Sequence, residues 1–192
     1  IEDARRVAHK LGIKHYVLNM QKDLEKWVIK DFCHEYISGR TPNPCVKCNQ
    51  YLKFGIFLKK ALALGAKFLA TGHYARIEKL PSRPVILPAA CLPARQGQAG
   101  KAPAYLLNKA RDKAKDQSYF LYRLNQGQLR HALFPLGNYT KHEVRELARK
   151  FDLPVADKLA SQEICFLPDT DYRGFLKARF KGNIRPGSIV DK

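Results

Sequence analysis

Helix-type and strand-type hydrophobic patterns alternate along residues 1–71, and this alternation constrains the fold more than any other feature of the sequence. Over residues 3–11 an apolar residue recurs at the spacing of one helix face, and Gly12 follows where a left-handed helix cap is expected. The next predicted elements are a short buried strand at 15–18, helices at 23–37 and 50–64, and a strand at 67–71. This order predicts an α/β fold in which helices flank a parallel sheet.

The run Thr41-Pro42-Asn43-Pro44 cannot lie inside a helix, because each proline fixes its own φ angle and favours extended geometry in the residue before it. The run therefore predicts a stiff loop that presents Cys45 and Cys48 at its end. Cys48 is expected at or just before the start of the next helix, where free amides, Lys47 and Lys53 would favour a thiolate.

The pair Cys45 and Cys48 has the Cys-x-x-Cys spacing, which alone leaves three uses open: half of a metal site, a redox or nucleophilic pair, or inert packing. Cys165 lies between Ile164 and Phe166, a setting typical of a small core residue. The five cysteines are an odd number, and no secretory signal accompanies them, which favours thiols in a reducing compartment. Cytoplasmic localisation is the resulting prediction.

The segment Thr71-Gly72-His73-Tyr74 directly follows the strand predicted at 67–71. Ligands of open parallel sheets bind beyond the carboxyl ends of the strands, and a glycine there permits close approach of a ligand to the backbone. His73 would then be within reach of a substrate. The alternative for a single histidine is an ordinary polar side chain with its hydrogen bonds satisfied.

The chain carries 35 basic and 17 acidic residues, which gives a formal net charge of +18. This excess favours a polyanionic partner such as nucleic acid, although solubility alone is the competing explanation. Cations alternate at Lys109, Arg111, Lys113 and Lys115 and lead into Asp116-Gln117-Ser118, a pattern that suits an RNA backbone with an adjacent base, or else a solvated charged edge. No apolar stretch is long enough to predict a membrane span.

Residues 81–104 differ in composition and pattern from the rest of the chain. Five of the eleven prolines lie there, and neither the helical nor the strand spacing of apolar residues is present. They predict a surface insertion.

The sequence Thr140-Lys141-His142-Glu143 is a capping box that predicts a helix to about Phe151. The helical pattern at the first residue and a strand-like start at 188–190 suggest truncation at both ends.

Six segments, in this order, resemble the tRNA-specific 2-thiouridylase family, the bacterial wobble-uridine thiolases of the pyrophosphatase-loop adenylating superfamily. They are residues 39–49, 53–55, 70–76, 115–121, 134–137 and 161–166. The resemblance implies an incomplete Rossmann-like, adenine nucleotide alpha hydrolase-like sheet with flanking helices. It also implies a partial catalytic domain over 1–168 and the start of a central tRNA-binding domain over 169–192.

The resemblance also implies roles for individual residues. The cysteine before Asn49 is the family's catalytic nucleophile, here Cys48, and the cysteine of Ser161-Gln162-Glu163-Ile164-Cys165-Phe166 carries the persulfide. The remaining implied contacts are Asn43, Pro44 and Cys45 with the target base, Gly72 with ATP, and His73, Lys115, Asp116 and Gln117 with tRNA. No resident metal ion is implied.

The activity implied is ATP-dependent transfer of persulfide sulfur to C2 of the wobble uridine, with Mg²⁺ accompanying ATP. The partners implied are a tRNA anticodon stem-loop and a cysteine desulfurase or sulfur-relay protein. The family's Ser-Gly-Gly-Val-Asp-Ser phosphate loop does not occur in these 192 residues, so the isolated chain is expected to be inactive in adenylation.

Two alternatives remain: an RNA-binding module stabilised by zinc or an iron–sulfur cluster, and a related adenylating enzyme acting on a small molecule.

Overall fold

The helices account for most of the regular structure, in a computed structural model that describes residues 1–81, 104–158, 164–167 and 171–179. Helix α1 is Glu2–Lys10, and α2 runs continuously over 21–37 as Gln21–Leu24, a π-helical stretch Glu25–Ile29, and Lys30–Ile37. Helix α3 runs over 44–63 as Pro44–Lys47, a π-helical stretch Cys48–Phe57, and Leu58–Ala63. The later helices are α4 (Gln126–Arg130), α5 (Lys141–Lys150) and α6 (Tyr172–Arg179), and 3₁₀ turns cover Ser118–Leu121 and Pro135–Asn138.

Four short strands form two separate pairs in the described residues. Strand β1 (Leu69–Ala70) pairs in parallel with β4 (Ala132–Leu133). Strand β2 (Ala75–Lys79) pairs antiparallel with β3 (Tyr105–Lys109). The parallel pair with its flanking helices confirms the α/β prediction.

The main core lies where α3 packs against the β1–β4 pair and the turn at Ser118–Leu121. Its most deeply buried members are Phe54, Ala75 and Leu121, which are at most 1% exposed. Each large apolar side chain buried in this way contributes about 1.5–3 kcal/mol to stability. The rest of this cluster is Leu58, Leu69, Leu124, Leu129, Ala132 and Phe134.

The strand predicted at 15–18 is wrong. These residues form no strand, and Tyr16 is 76% exposed and Val17 56% exposed. A buried strand requires hydrogen-bonded neighbours, and no described strand pairs with this segment. β-prone residues alone therefore did not place it in the sheet.

The helix predictions are mostly confirmed. Helix α1 ends before Gly12, whose φ of 65° lies in the left-handed region. Thr140 and Glu143 form the predicted capping box, and Glu143 N donates to Thr140 Oγ1 at 3.2 Å. Helix α3, in contrast, begins at Pro44 and not near residue 50.

Most of the predicted insertion and of the second domain lies outside the described residues. At the edges of the insertion, Leu80 N donates to Ala104 O at 2.8 Å and so continues the pairing of β2 with β3. Of the segment 169–192, the structure describes only residues 171–179, and the strand start suggested at 188–190 is not among them. Within the described ranges, no helix combines the length and apolarity needed to cross a membrane.

Candidate functional site

The loop predicted before Cys45 is confirmed over residues 41–43, and helix α3 begins directly after it at Pro44. The Asn43 side chain caps the helix, with its Oδ1 accepting a hydrogen bond from Val46 N at 3.3 Å. Pro44 takes the first helical position, where its missing N–H costs nothing, and its side chain is buried. Cys45 is exposed in the first turn, and Cys48 is half-buried one turn further along.

The prediction that Cys48 lies at a helix start, where free amides would favour a thiolate, is wrong. Because α3 begins at Pro44, the free amides of its first turn lie before Cys48. Burial raises the pKa of the Cys48 thiol, the Lys53 cation lowers it, and negative charge on Cys165 and Cys45 raises it further. The thiol form is therefore favoured at neutral pH.

Lys53, exposed on α3, is the cation whose charge reaches the site. It lowers the pKa of Cys45 and of Cys48, and after burial it is the second cause of the lowered pKa of His73. Lys47, which was expected to act with it, instead forms an ion pair with Asp31 at 2.9 Å.

The structure brings Cys165 close to the two cysteines of α3. Negative charge on Cys165 raises the pKa of both Cys45 and Cys48, so the three sulfur atoms lie within electrostatic reach of one another. The thiol of Cys165 is exposed, so its interpretation as a core residue is wrong. No disulfide joins the cysteines of the described part of the chain.

Phe166 anchors the segment that carries Cys165. Its ring lies edge-on to Phe32 of α2 at 5.3 Å and contacts Phe175 of α6 at 5.7 Å between centroids. Edge-to-face pairs of this kind add about 0.5–1.5 kcal/mol beyond their buried area. An anchored aromatic side chain next to an exposed thiol fixes the backbone at Cys165 and leaves its sulfur accessible.

His73 is buried just beyond β1 and not open to solvent. Its Nδ1 hydrogen bonds with Thr71 Oγ1 at 2.7 Å, and its ring packs against Phe54 and Phe134. Burial lowers the pKa of His73 to about 4, with a smaller contribution from Lys53. The imidazole is therefore neutral at physiological pH.

Gly72, between Thr71 and His73, is exposed, and a Cβ at this position would lie 3.7 Å from Leu136 Cδ1. This is an ordinary contact distance, so neither packing nor backbone angle within the described residues requires glycine here. An open backbone just past a parallel strand fits the approach of a nucleotide.

Gln117 joins two of the segments singled out in the sequence. Its Oε1 accepts from Tyr74 N at 3.0 Å, and its own backbone N donates to Tyr74 O at 2.8 Å. Asp116 is used internally as well: Oδ1 accepts from Ala110 N and Oδ2 from Ser118 Oγ, both at 2.7 Å. These hydrogen bonds lower the pKa of Asp116 against the opposing effect of burial. Lys115 is exposed.

Asn49 lies beside the candidate site and was assigned no role from the sequence. It is 2% exposed, and its Nδ2 donates to Phe120 O at 3.0 Å, which joins α3 to the turn at Ser118–Leu121. Its Oδ1 is buried without a hydrogen-bond partner among the described residues. The available signal was a polar residue three positions before Leu52, on the buried face of the helix.

Metal binding receives no support from side-chain placement. Within the described ranges, no three His, Cys, Asp or Glu side chains are arranged so that they could share a metal ion. Cys45, Cys48 and Cys165 are near neighbours without forming such a group.

Comparison with known proteins gives a consistent result. The profile of the family described as tRNA methyl transferase HUP domain matches residues 1–169. The chain is 51% identical over 191 residues to tRNA-specific 2-thiouridylase MnmA 1 of Caldanaerobacter subterraneus subsp. tengcongensis, covering 100% of this chain and 47% of that protein. It is also 51% identical to tRNA-specific 2-thiouridylase MnmA of Carboxydothermus hydrogenoformans, with the same coverage. The chain thus spans about half the length of the curated relatives it matches.

Proposed function

The chain belongs to the tRNA methyl transferase HUP-domain family, and from this membership we propose that it forms the thiol-bearing part of a tRNA 2-thiouridylase. The reaction proposed is ATP-dependent transfer of persulfide sulfur to C2 of the wobble uridine. The observation that carries the proposal is the juxtaposition of Cys48 with the exposed Cys165, two thiols from distant parts of the sequence.

Activation of the base must come first, because C2 of uridine is a poor electrophile and its oxygen a poor leaving group. Transfer of AMP from ATP to that oxygen, with Mg²⁺ as the expected counterion, would supply the leaving group. Gly72 supports nucleotide binding, since its exposed backbone follows β1 with no side chain in the way. His73, buried and neutral, would hold the backbone beside Gly72 in place through its hydrogen bond with Thr71.

In the sulfur-transfer step, Cys165 carries the persulfide and Cys48 acts as the nucleophile. Cys48 first loses its proton to solvent. Its thiolate then attacks Sγ of Cys165, the sulfane sulfur leaves with the bonding electron pair to form a bond with C2, and AMP departs. The two cysteine sulfurs are oxidised to a disulfide while the sulfane sulfur is reduced. A dithiol reductant must then reduce the disulfide before another turnover.

The target base is proposed to lie against the start of α3. Cys45 is exposed there, and the Asn43 side chain is only partly buried. Pro44 is buried, so its contribution to the base pocket would be made through its backbone. A uridine from an anticodon loop can enter such a pocket at modest cost, because it is already unpaired.

The RNA partner is proposed to be a tRNA anticodon stem-loop. Lys115 is exposed for phosphate contact, while Asp116 and the Oε1 atom of Gln117 hold the loop in place. The sulfur would come from a cysteine desulfurase or a relay protein, which needs the exposure that Cys165 has. A free thiol pair also favours the reducing cytoplasm.

The test uses a chimera in which residues 1–192 replace the matching segment of the Carboxydothermus hydrogenoformans relative, which supplies the remaining half of the chain. We expect Cys48→Ser and Cys165→Ser each to reduce 2-thiouridine formation by at least about 100-fold, because each removes a sulfur that forms or breaks a bond. Cys33→Ser, which alters another half-buried thiol, is the control and should keep activity. Full thiolation by Cys165→Ser would overturn the proposal.

Two further measurements examine the cofactors. The isolated 192-residue chain is expected to show no ATP–pyrophosphate exchange with cognate tRNA, and robust exchange would contradict this. Absorption spectra and metal analysis of the anaerobically purified chimera address an iron–sulfur cluster; a stoichiometric cluster would replace the persulfide route by metal-assisted transfer.

A further inference from the structure

Two tyrosines project side by side from the turn at Ser118–Leu121. Tyr119 is 65% exposed and Tyr122 is 62% exposed. Their ring centroids are 5.9 Å apart, and the ring planes are inclined by 36°. Residues three apart in a 3₁₀ turn lie on one face, which explains why both rings point the same way.

The opposite face of the turn supplies the hydrophobic anchor. Leu121 and Leu124, also three residues apart, are 1% and 8% exposed and belong to the main core. The tyrosines are therefore not needed to fill the interior. An exposed pair of large aromatic side chains is typical of a binding surface and not of a solvated turn.

The turn has a fixed position beside the cysteines. Asn49, the residue after Cys48, donates to Phe120 O at 3.0 Å. The turn also packs against Pro44–Lys47, the first turn of α3, which carries Cys45. A ligand stacked on Tyr119 and Tyr122 would consequently adjoin the proposed pocket of the target base.

Exposed cations flank the turn in the sequence. Lys113, Lys115 and Arg123 are exposed on either side of the turn, and none of the three forms an ion pair within the described part of the chain. The nearby carboxylates of Asp112 and Asp116 accept internal hydrogen bonds. Aromatic faces flanked by free cations are the combination that binds unpaired nucleotides.

We propose that Tyr119 and Tyr122 form a stacking platform for the unpaired nucleotides that flank the target uridine in the RNA substrate. The platform would hold the loop open while the target base enters the pocket beside Cys45 and Cys48. This inference rests on the proposed function. It adds a contact through base faces, which differs from the phosphate contact proposed for Lys115.

The experiment uses the chimera and an anticodon stem-loop RNA in which one loop base next to the target uridine is 2-aminopurine, whose fluorescence falls on stacking. We expect quenching with the unsubstituted chimera and its loss in the variant Tyr119→Ala/Tyr122→Ala. RNA affinity should fall roughly 5- to 150-fold, the range that loss of one stacked base gives. Tyr119→Phe/Tyr122→Phe should retain both, because the aromatic faces remain. Tyr16→Ala removes another exposed tyrosine and is the matched control.

The outcomes separate the two proposals. Unchanged quenching and affinity in the double alanine variant, with thiolation intact, would overturn the platform and leave the proposed function standing. Weakened binding of the sulfur-donor protein with unchanged RNA binding would show that the tyrosines form a protein interface, which also overturns it. No RNA binding by the unsubstituted chimera would contradict the proposed function itself. The two single alanine variants are measured in parallel, so that a folding defect of the double variant does not decide the result.

Discussion

At the scale of single residues, His73 is an ionisable group buried among apolar side chains. Its pKa is lowered to about 4 from 6.5 because the imidazole is enclosed by Phe54 and Phe134 and lies near the Lys53 cation. The folded state is therefore more stable when the His73 ring is neutral. Protonation would place a cation in a largely apolar site.

Stability should therefore decrease in acid through His73. Because its pKa in the folded state lies below the unfolded value, the full contribution is present above pH 6.5 and is lost as pH falls towards 4. The loss amounts to about 3 kcal/mol once both states are protonated. His73→Asn should flatten the slope of unfolding free energy against pH in this range, measured by urea denaturation.

The exposed His9 provides the matched control, because it forms no ion pair among the described residues. His9→Asn should leave the slope unchanged. An equally steep slope in His73→Asn would mean that other groups cause the acid sensitivity.

Lys53 should set the reactivity of Cys48. Its cation lowers the pKa of a thiol that burial raises, so Lys53→Met should raise that pKa further and shrink the thiolate fraction. We expect alkylation of Cys48 by iodoacetamide at pH 8 to slow several-fold, roughly up to 10-fold for a change of one pH unit in pKa. Peptide mass spectrometry after timed quenching follows Cys48 separately from the other cysteines.

The variant Lys60→Met makes the same charge change on an exposed position of α3 and should alkylate at the original rate. Equal rates for the two variants would show that Lys53 does not act on Cys48.

Motif order singled out the candidate site residues, but local sequence rules did not give their environments. Cys48 and Cys165 could be named from the sequence, and the structure brings them together. The sequence predicted a lowered pKa for Cys48, and the structure gives a raised one. The reason is burial, which depends on how α3 packs against other segments and cannot be read from the α3 sequence alone. Asn49 was missed for the same reason, since its partner Phe120 lies far along the chain.

At the scale of elements, the turn Pro135–Asn138 packs closely on β2 through Gly137. A Cβ at Gly137 would lie 1.9 Å from Ala75 O, a distance that the backbone cannot accommodate without moving. Gly137→Ala should therefore destabilise the fold by roughly 2–4 kcal/mol, as overpacking against backbone does. The measurement is the free energy of unfolding at neutral pH.

Gly72→Ala is the natural comparison, because its added Cβ would meet only Leu136 Cδ1 at 3.7 Å. Its stability should change by less than about 0.5 kcal/mol, as expected away from close backbone contacts. Similar losses in the two variants would contradict the packing argument.

Elements defined by local signals were predicted well, and those defined by distant partners were not. The spacing of α1 and the capping box of α5 lie within their own segments, and both helices form. The strand expected at 15–18 depended on a neighbour. The start of α3 is the exception, because the Asn43 cap and Pro44 at the first helical position are local signals that the prediction overlooked. The sequence alone gave no indication that α2 and α3 contain π-helical stretches.

At the scale of the whole molecule, the net charge of +18 should make RNA binding strongly dependent on salt. For the chimera and an anticodon stem-loop, the logarithm of affinity should fall linearly with the logarithm of salt concentration. Lys115→Ala should reduce the slope by about 0.7–0.9, the value for loss of one phosphate contact. Fluorescence anisotropy at several salt concentrations measures it.

The platform variant Tyr119→Ala/Tyr122→Ala serves as the contrast, since it should weaken binding without changing the slope. A slope unaltered by Lys115→Ala would place the phosphate contacts elsewhere on the surface.

The family could be recognised from six short segments because their order and spacing hold over nearly the whole chain, and the profile match over residues 1–169 agrees with this. The layout of the sheet could not be obtained in the same way. In the described part of the chain, the parallel pairing is between β1 and β4. The sequence of each strand does not specify its partner, so the pairing could not be predicted from either strand alone.

The parallel pairing of β1 with β4 has a consequence for how the chain folds. Leu69 and Ala132 are far apart in sequence, so their pairing closes a long loop and is slow to form compared with helices such as α1 and α5. Thr71, Gly72 and His73 take their places only once β1 is paired. A newly made chain should therefore acquire its helices first and the edge that carries Gly72 last.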